Sequence, residues 1–245
     1  MNTTRFLVWD LPTRIFHWLL TGGFIAAAAL AFLTDHKSSL FPYHALVGLV
    51  LALMVAFRVI WGVIGTRYAR FGSFPLGPRA LAAYLKGAFT GTGTRHIGHN
   101  PGSAYAILAM LLLVVGISVT GIMLSKGHKA LKEAHEVMSY ALIGFAVAHV
   151  LGVIFHTLRH RENIALSMID GKKDCAPSHA IVSVRPVAAA LFVVLVCLWT
   201  LGLVRNYAPA TKTVTLPAVG TSLRLGDNEK KGKHPGRRER KHDAD

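Results

Sequence analysis

Residues 133–160 read EAHEVMSYALIGFAVAHVLGVIFHTLRH, an apolar run that carries histidines at 135, 149 and 156. The run is long enough to cross a bilayer core of about 30 Å, which takes roughly 20 apolar residues. Four more runs of that kind lie at about 14–34, 44–66, 103–124 and 186–204. The composition agrees: 52% of the 245 residues are hydrophobic and only 16% are charged. Soluble domains carry about 25% charged residues. Lipid offers no hydrogen bonds to the backbone, so each span is expected to be a helix. The fold class expected is therefore all-α: a polytopic membrane bundle of five transmembrane helices.

Three segments are expected. Residues 1–13 form an N-terminal flank, 14–204 the five-span domain, and 205–245 a basic, disordered tail. MNTTRFLVWDLPTRIFHW holds an acidic residue and a proline ahead of the first apolar run. It does not read as a cleaved signal. Cys175 and Cys197 fall in a loop and in the last span, so no disulfide framework is expected. Signatures for covalent c-type haem, zinc fingers and nucleotide-binding loops are absent from the sequence.

A formal charge of +15 could suggest nucleic acid as a partner, but the charges follow the spans instead. Arg5, Arg14, Arg67, Arg70, Arg79, Lys86, Arg95, Arg159, Arg161, Lys172, Lys173 and Arg185 fall on one side. Only Lys37, Lys126, Lys129 and Lys132 fall in the two short loops opposite. The positive-inside rule then places the N-terminus in the cytoplasm and, after five spans, the C-terminus outside, in the periplasm. No nucleic-acid partner is expected, and membrane lipid is. The tail is basic too, yet seven of its ten Lys and Arg lie at 230–241, beyond the reach over which the rule counts. It reads as a solvated tail, with a docking arm for an acidic partner or anionic lipid as the alternative. In the second loop, LGPRALAAYLKGAF reads as a short interfacial helix starting near Pro78.

Histidines 36, 96, 99, 128, 160, 179, 234 and 242 fall in loops, flanks or tail and read as solvated. His17, His44, His135, His149 and His156 remain in spans. Fourteen residues of helix turn about 1400°, within about 40° of whole turns, and rise about 21 Å. His135 and His149 therefore share a face at two depths. Span two starts on the outer side with His44, and span one starts on the inner side with His17. The depths match as His44 with His135 and His17 with His149. Two facing imidazoles supply the axial pair of a six-coordinate haem iron. Two such layers make an electron path across the membrane. A hydrogen bond to a neighbouring helix is the plainer reading of any one of these histidines. His156 competes with His149, but lies about 10 Å nearer the cytoplasm, where interfacial solvation would suffice.

Arg58 lies fourteen residues after His44 on the same face, deep in ALMVAFRVIWGVIG. A haem propionate would supply its counter-charge. Arg14, one turn before His17, could act likewise, and snorkelling to lipid phosphates is the alternative for both arginines. Gly48 and Gly152 would leave room for a macrocycle, or serve plain helix packing.

VWDLPTRIFHWLL, the H-x-x-x-G opening of span two, FRVIWGVIGTRYARF and HVLGVIFHTLRHRENIALSMIDGKK together resemble the bacterial cytochrome b561 family, over about residues 5–205. That family includes the b-type subunits of nickel–iron hydrogenases. The resemblance implies an inner-membrane protein with two non-covalent haem b groups and His17, His44, His135 and His149 as axial ligands. It also implies quinone as an exchangeable substrate and a periplasmic redox partner, hydrogenase-like or a c-type cytochrome. The fifth span and basic tail depart from shorter four-span members, some of which oxidise superoxide. Two rival readings follow. One is a stand-alone superoxide:quinone oxidoreductase with Lys126, Lys129 and Lys132 near the outer haem. The other is a haem-free transporter or scaffold. An electron-transfer subunit is the expected role, ahead of a stand-alone enzyme.

Overall fold

The structure is a computed structural model that describes residues 5–90, 92, 96–160 and 163–226. Arg95, Arg161 and the basic run at 230–241 lie outside the described residues. Five helices are long and apolar enough to cross a membrane: α1 (Leu11–Leu33), α2 (Phe41–Ile64), α4 (Pro101–Ser125), α5 (Lys132–His160) and α7 (Pro186–Arg205). Two shorter helices, α3 (Pro78–Thr90) and α6 (Ile164–Asp170), sit between spans. The chain thus forms a multi-pass helical membrane bundle. Its outer faces carry exposed Val137, Val150, Leu158, Val187 and Leu191, the side chains that lipid solvates.

The helices begin where local chemistry tells them to. Asp10 caps α1 by accepting from the Thr13 amide at 2.9 Å, with Pro12 in the first turn. Asn100 caps α4 in the same way through the Ser103 amide at 2.8 Å, followed by Pro101. α1 starts at Leu11, three residues before the run read from hydropathy, because the cap fixes the start.

α2 lies against α1, α4 and α7, and α5 lies along α4. The central core joins Phe16, Leu51, Met54, Val55, Leu111, Leu142 and Phe192. α5 has no comparable contact with α1 or α2. Its seam with them is therefore wider than a bare helix–helix contact.

The end of the bundle where the chain starts, the proximal end, is closed by polar joints. Strand β1 (Arg5–Leu7) pairs antiparallel with β2 (Lys172–Asp174). Arg5 forms an ion pair with Asp170. The Val8 and Trp9 amides both donate to the Gly171 carbonyl, at 2.8 and 3.0 Å. Gly171 has φ +79°, and a Cβ there would lie 2.8 Å from the Trp9 carbonyl oxygen, so both its conformation and its neighbour demand glycine. Asp10, 1% exposed, is the hub of this end. Beyond its cap, Trp61 Nε1 donates to its Oδ2 at 3.1 Å and Thr66 Oγ1 donates at 2.5 Å. One carboxylate thus ties the start of α1 to the end of α2.

The opposite, distal end departs from expectation. Residues 207–224 form a three-stranded antiparallel sheet, where the sequence suggested a disordered tail over 205–245, of which 227–245 lie outside the described residues. Its strands are β3 (Tyr207–Ala208), β4 (Thr213–Thr215) and β5 (Ser222–Arg224). The reason is apolar burial: Val214, Leu223 and Leu225 seat on Leu46, Leu49 and Leu203. The highly charged end of the tail dominated its composition and masked these alternating apolar residues.

Asp10→Ala strands two donors and uncaps α1. It is expected to cost roughly 2–4 kcal/mol, read as a lowered unfolding midpoint in detergent, with Asp10→Asn falling between it and the wild type.

Candidate haem-binding sites

His44 stands one turn into α2, and His135 stands in the first turn of α5. Their ring centroids lie 6.4 Å apart with the planes at 80°. Each ring is anchored at Nδ1. For His44 the partner is the Ala27 carbonyl, 2.9 Å away. A carbonyl only accepts, so His44 Nδ1 carries the hydrogen and donates. For His135 the partner is Thr120 Oγ1, at 3.0 Å. That hydroxyl has one proton, and the Gly116 carbonyl lies 2.8 Å away. With the hydroxyl hydrogen on the Gly116 carbonyl or on that of Ile117, at 3.1 Å, Thr120 Oγ1 accepts from His135 Nδ1, which then donates as well. Both rings are then the tautomer whose Nε2 lone pair is free. The His135 ring packs over Gly121, where a Cβ would make an ordinary contact with its Cε1 at 3.4 Å.

This arrangement fits a metal between two imidazoles. Two metal–nitrogen bonds of about 2 Å each, with the two ring radii, come to roughly 6 Å. Among the described residues no three His, Cys, Asp or Glu side chains converge on a metal position. Histidines that meet only in twos suit an iron whose other four ligands come from a macrocycle. A Cβ added at Gly48 or Gly152 would meet nothing within 4 Å, so the backbone beside His44 and His149 is uncrowded.

The proximal level is built differently. His17 on α1 and His149 on α5 are half-buried and within electrostatic reach of each other. His17 Nδ1 is buried without a hydrogen-bond partner, in contrast to the anchored distal rings. His156, read from depth as solvated at the interface, is instead buried at 8% exposure.

The two arginines also separate. Arg58 is 3% exposed, lies 4.9 Å above the Phe71 ring, and has a buried Nη1 without a partner. The nearby carboxylate of Asp10 already accepts from Thr13, Trp61 and Thr66. Arg14 turns toward the α6 end instead. Its Nη1 lies beside Gly171, and Asp170 feels its charge. Arg14 thus has Asp170 as a counter-charge, whereas the carboxylate within reach of Arg58, Asp10, makes its hydrogen bonds to other donors.

Sequence reading missed three contributors. Thr120 looked like one more small polar residue in a span; its place opposite His135 is a property of α4–α5 packing. Asp10 was legible only as an N-cap, not as the acceptor for α2. His99 was read as solvated, yet its Nε2 is shut off from solvent and has no partner. The one available signal was its place just before Asn100–Pro101, a capped helix start that anchors the chain.

Neither a comparison with curated proteins nor one with solved structures gave a match. A family model described as prokaryotic cytochrome b561 matches residues 8–171, from the buried Val8 through the α6 cap and across four of the five spans. α7 and the distal sheet lie outside the match. With most of its length covered, the chain belongs to the prokaryotic cytochrome b561 family, and is accordingly a haem-b-binding, multi-pass membrane protein of electron transfer.

Proposed function

We propose that the chain is a di-haem cytochrome b of the inner membrane, carrying electrons between the quinone pool and a periplasmic redox protein. The partner would be hydrogenase-like or a c-type cytochrome. His44 with His135 would hold the distal haem, and His17 with His149 the proximal one. The observation that carries the reading is the facing pair His44 and His135, each ring anchored through Nδ1. Haem bound at each level supplies reversible one-electron iron chemistry.

The residues of the chain do the rest. Ala27 and Thr120 hold the distal imidazoles in the ligating tautomer and make them better donors. Helix packing fixes the two levels about 21 Å apart along α5. Arg58 offers a fixed cation to an acidic group at the proximal level. The preponderance of Lys and Arg at the proximal end supports placing that end in the cytoplasm and the sheet in the periplasm. A periplasmic partner would then meet the distal end, beside His44 and His135.

Purified protein is expected to hold two b-type haems per chain by pyridine haemochrome assay. His135→Ala and His149→Ala should each leave one, whereas His156→Ala should keep two. A colourless preparation from haem-replete cells would sink the whole reading, and a His149→Ala protein with both haems would sink the proximal pairing. Quinol should reduce the haems. Superoxide reducing quinone through the purified protein alone would favour a stand-alone enzyme over a partner-coupled subunit.

Thr120→Val removes the acceptor for His135 Nδ1 while keeping the shape of the side chain. Loss of such a supporting bond weakens metal binding by roughly 10–100-fold. The distal haem should therefore be lost first on titration with a competing haem acceptor, the proximal one being retained as in the wild type.

A further inference from the structure

The segment 96–100 brings a histidine to the proximal level that neither the histidine pairing nor the family match assigns. The His99 ring packs between Trp9, at a centroid distance of 4.7 Å, and Phe74, at 4.6 Å. The residue is half-buried as a whole, but its Nε2 is closed off from solvent and makes no hydrogen bond. Burial, then the charges of Arg58, Lys173 and His149, push its pKa down, so the ring is neutral at physiological pH. A neutral imidazole has one N–H to give.

Arg58 approaches from α2. Phe71 lies under its guanidinium, and the Phe71 and Phe74 rings are 5.5 Å apart, edge to face. Adjoining aromatic rings thus support the two polar groups, each of which keeps a buried nitrogen unsatisfied. Burying such nitrogens unmatched is unfavourable, most of all for the charged one. Asp10, with three donors already, is committed elsewhere. The group that accepts from a guanidinium and an imidazole N–H together is a carboxylate.

We propose that His99 is a further cofactor-binding residue, which with Arg58 holds a propionate carboxylate of the proximal haem. This rests on His17 and His149 being that haem's ligands. A donor on the propionate offsets its negative charge near the iron. Removing the donor favours the ferric form, so the midpoint potential falls.

The test is spectroelectrochemical titration of the purified full-length protein and its His99 variants. His99→Phe keeps a ring against Trp9 and Phe74, and His99→Met is a second apolar variant should the first not accumulate. Both should retain two haems. In both, one haem should shift toward ferric by roughly three- to tenfold, tenfold being about 59 mV for one electron. The other haem should not move. His99→Gln keeps an N–H donor and should stay within about twofold of wild type. In protein reconstituted with haem whose propionates are esterified, wild type and apolar variants should coincide.

Unchanged potentials in an apolar variant that holds both haems overturn the proposal. So does a shift in His99→Gln equal to that in the apolar variants, or a difference that persists with esterified haem. Wild-type protein with one haem or none overturns the di-haem reading itself, which separates the two failures.

Discussion

A polar hydrogen inside a membrane bundle has to be accepted by something in the bundle, because hydrocarbon accepts nothing. The rest of this structure depends on that constraint. At the distal level it is met within the protein: Ala27 and Thr120 take the Nδ1 hydrogens of His44 and His135. The lone pairs opposite are then the only unspent capacity of those rings. At the proximal level it is not met. Thr13, Arg14, His17, Arg58 and His99 each keep a buried polar atom without a hydrogen-bond partner. Their concentration at one end leaves that level with donors and acceptors the described residues do not satisfy.

The helix packing obeys the same logic. α5 carries two of the proposed ligands, yet packs mainly along α4 and meets α1 and α2, which carry the other two, only sparsely, as where Tyr140 meets Phe32. A bundle that had to be self-sufficient would close that seam with side chains. Here the core below it is contributed mainly by α1, α2, α4 and α7. Rigidity comes from the ends: Asp10 and the β1–β2 joint at the proximal end, and the small sheet on Leu46, Leu49 and Leu203 at the distal end. Both clamps grip α2, the helix that presents His44 to one level and Arg58 to the other.

Much of this was legible in the chain. Span number follows from run length, and the shared face of His135 and His149 follows from helical pitch, because both are properties of one continuous helix. The capped starts at Asp10 and Asn100 are equally local. His99 and His156 show where such reasoning stops. One sits in a polar loop and the other near a helix end, and exposure seemed the natural inference for both. Burial of a loop residue is decided by what folds over it, here Trp9 from the N-terminus and Phe74 from the segment after α2. The stretch 207–224 was misjudged for a related reason: average composition weighs every residue equally, whereas Val214 and Leu223 need only one apolar surface, supplied by α2 and α7.

The sequence alone determined a membrane solvent, five helices, and the depth of each histidine along its own helix, since hydropathy, length and pitch act within a segment. Only the tertiary structure decided which histidines meet and which nitrogen of each distal ring is left free. It also separated Arg14, which turns toward Asp170, from Arg58, whose neighbouring carboxylate, Asp10, is hydrogen-bonded to other donors. Those are relations between helices far apart in the chain, and they are set by packing and by the sharing of scarce hydrogen-bond acceptors, which no single segment encodes.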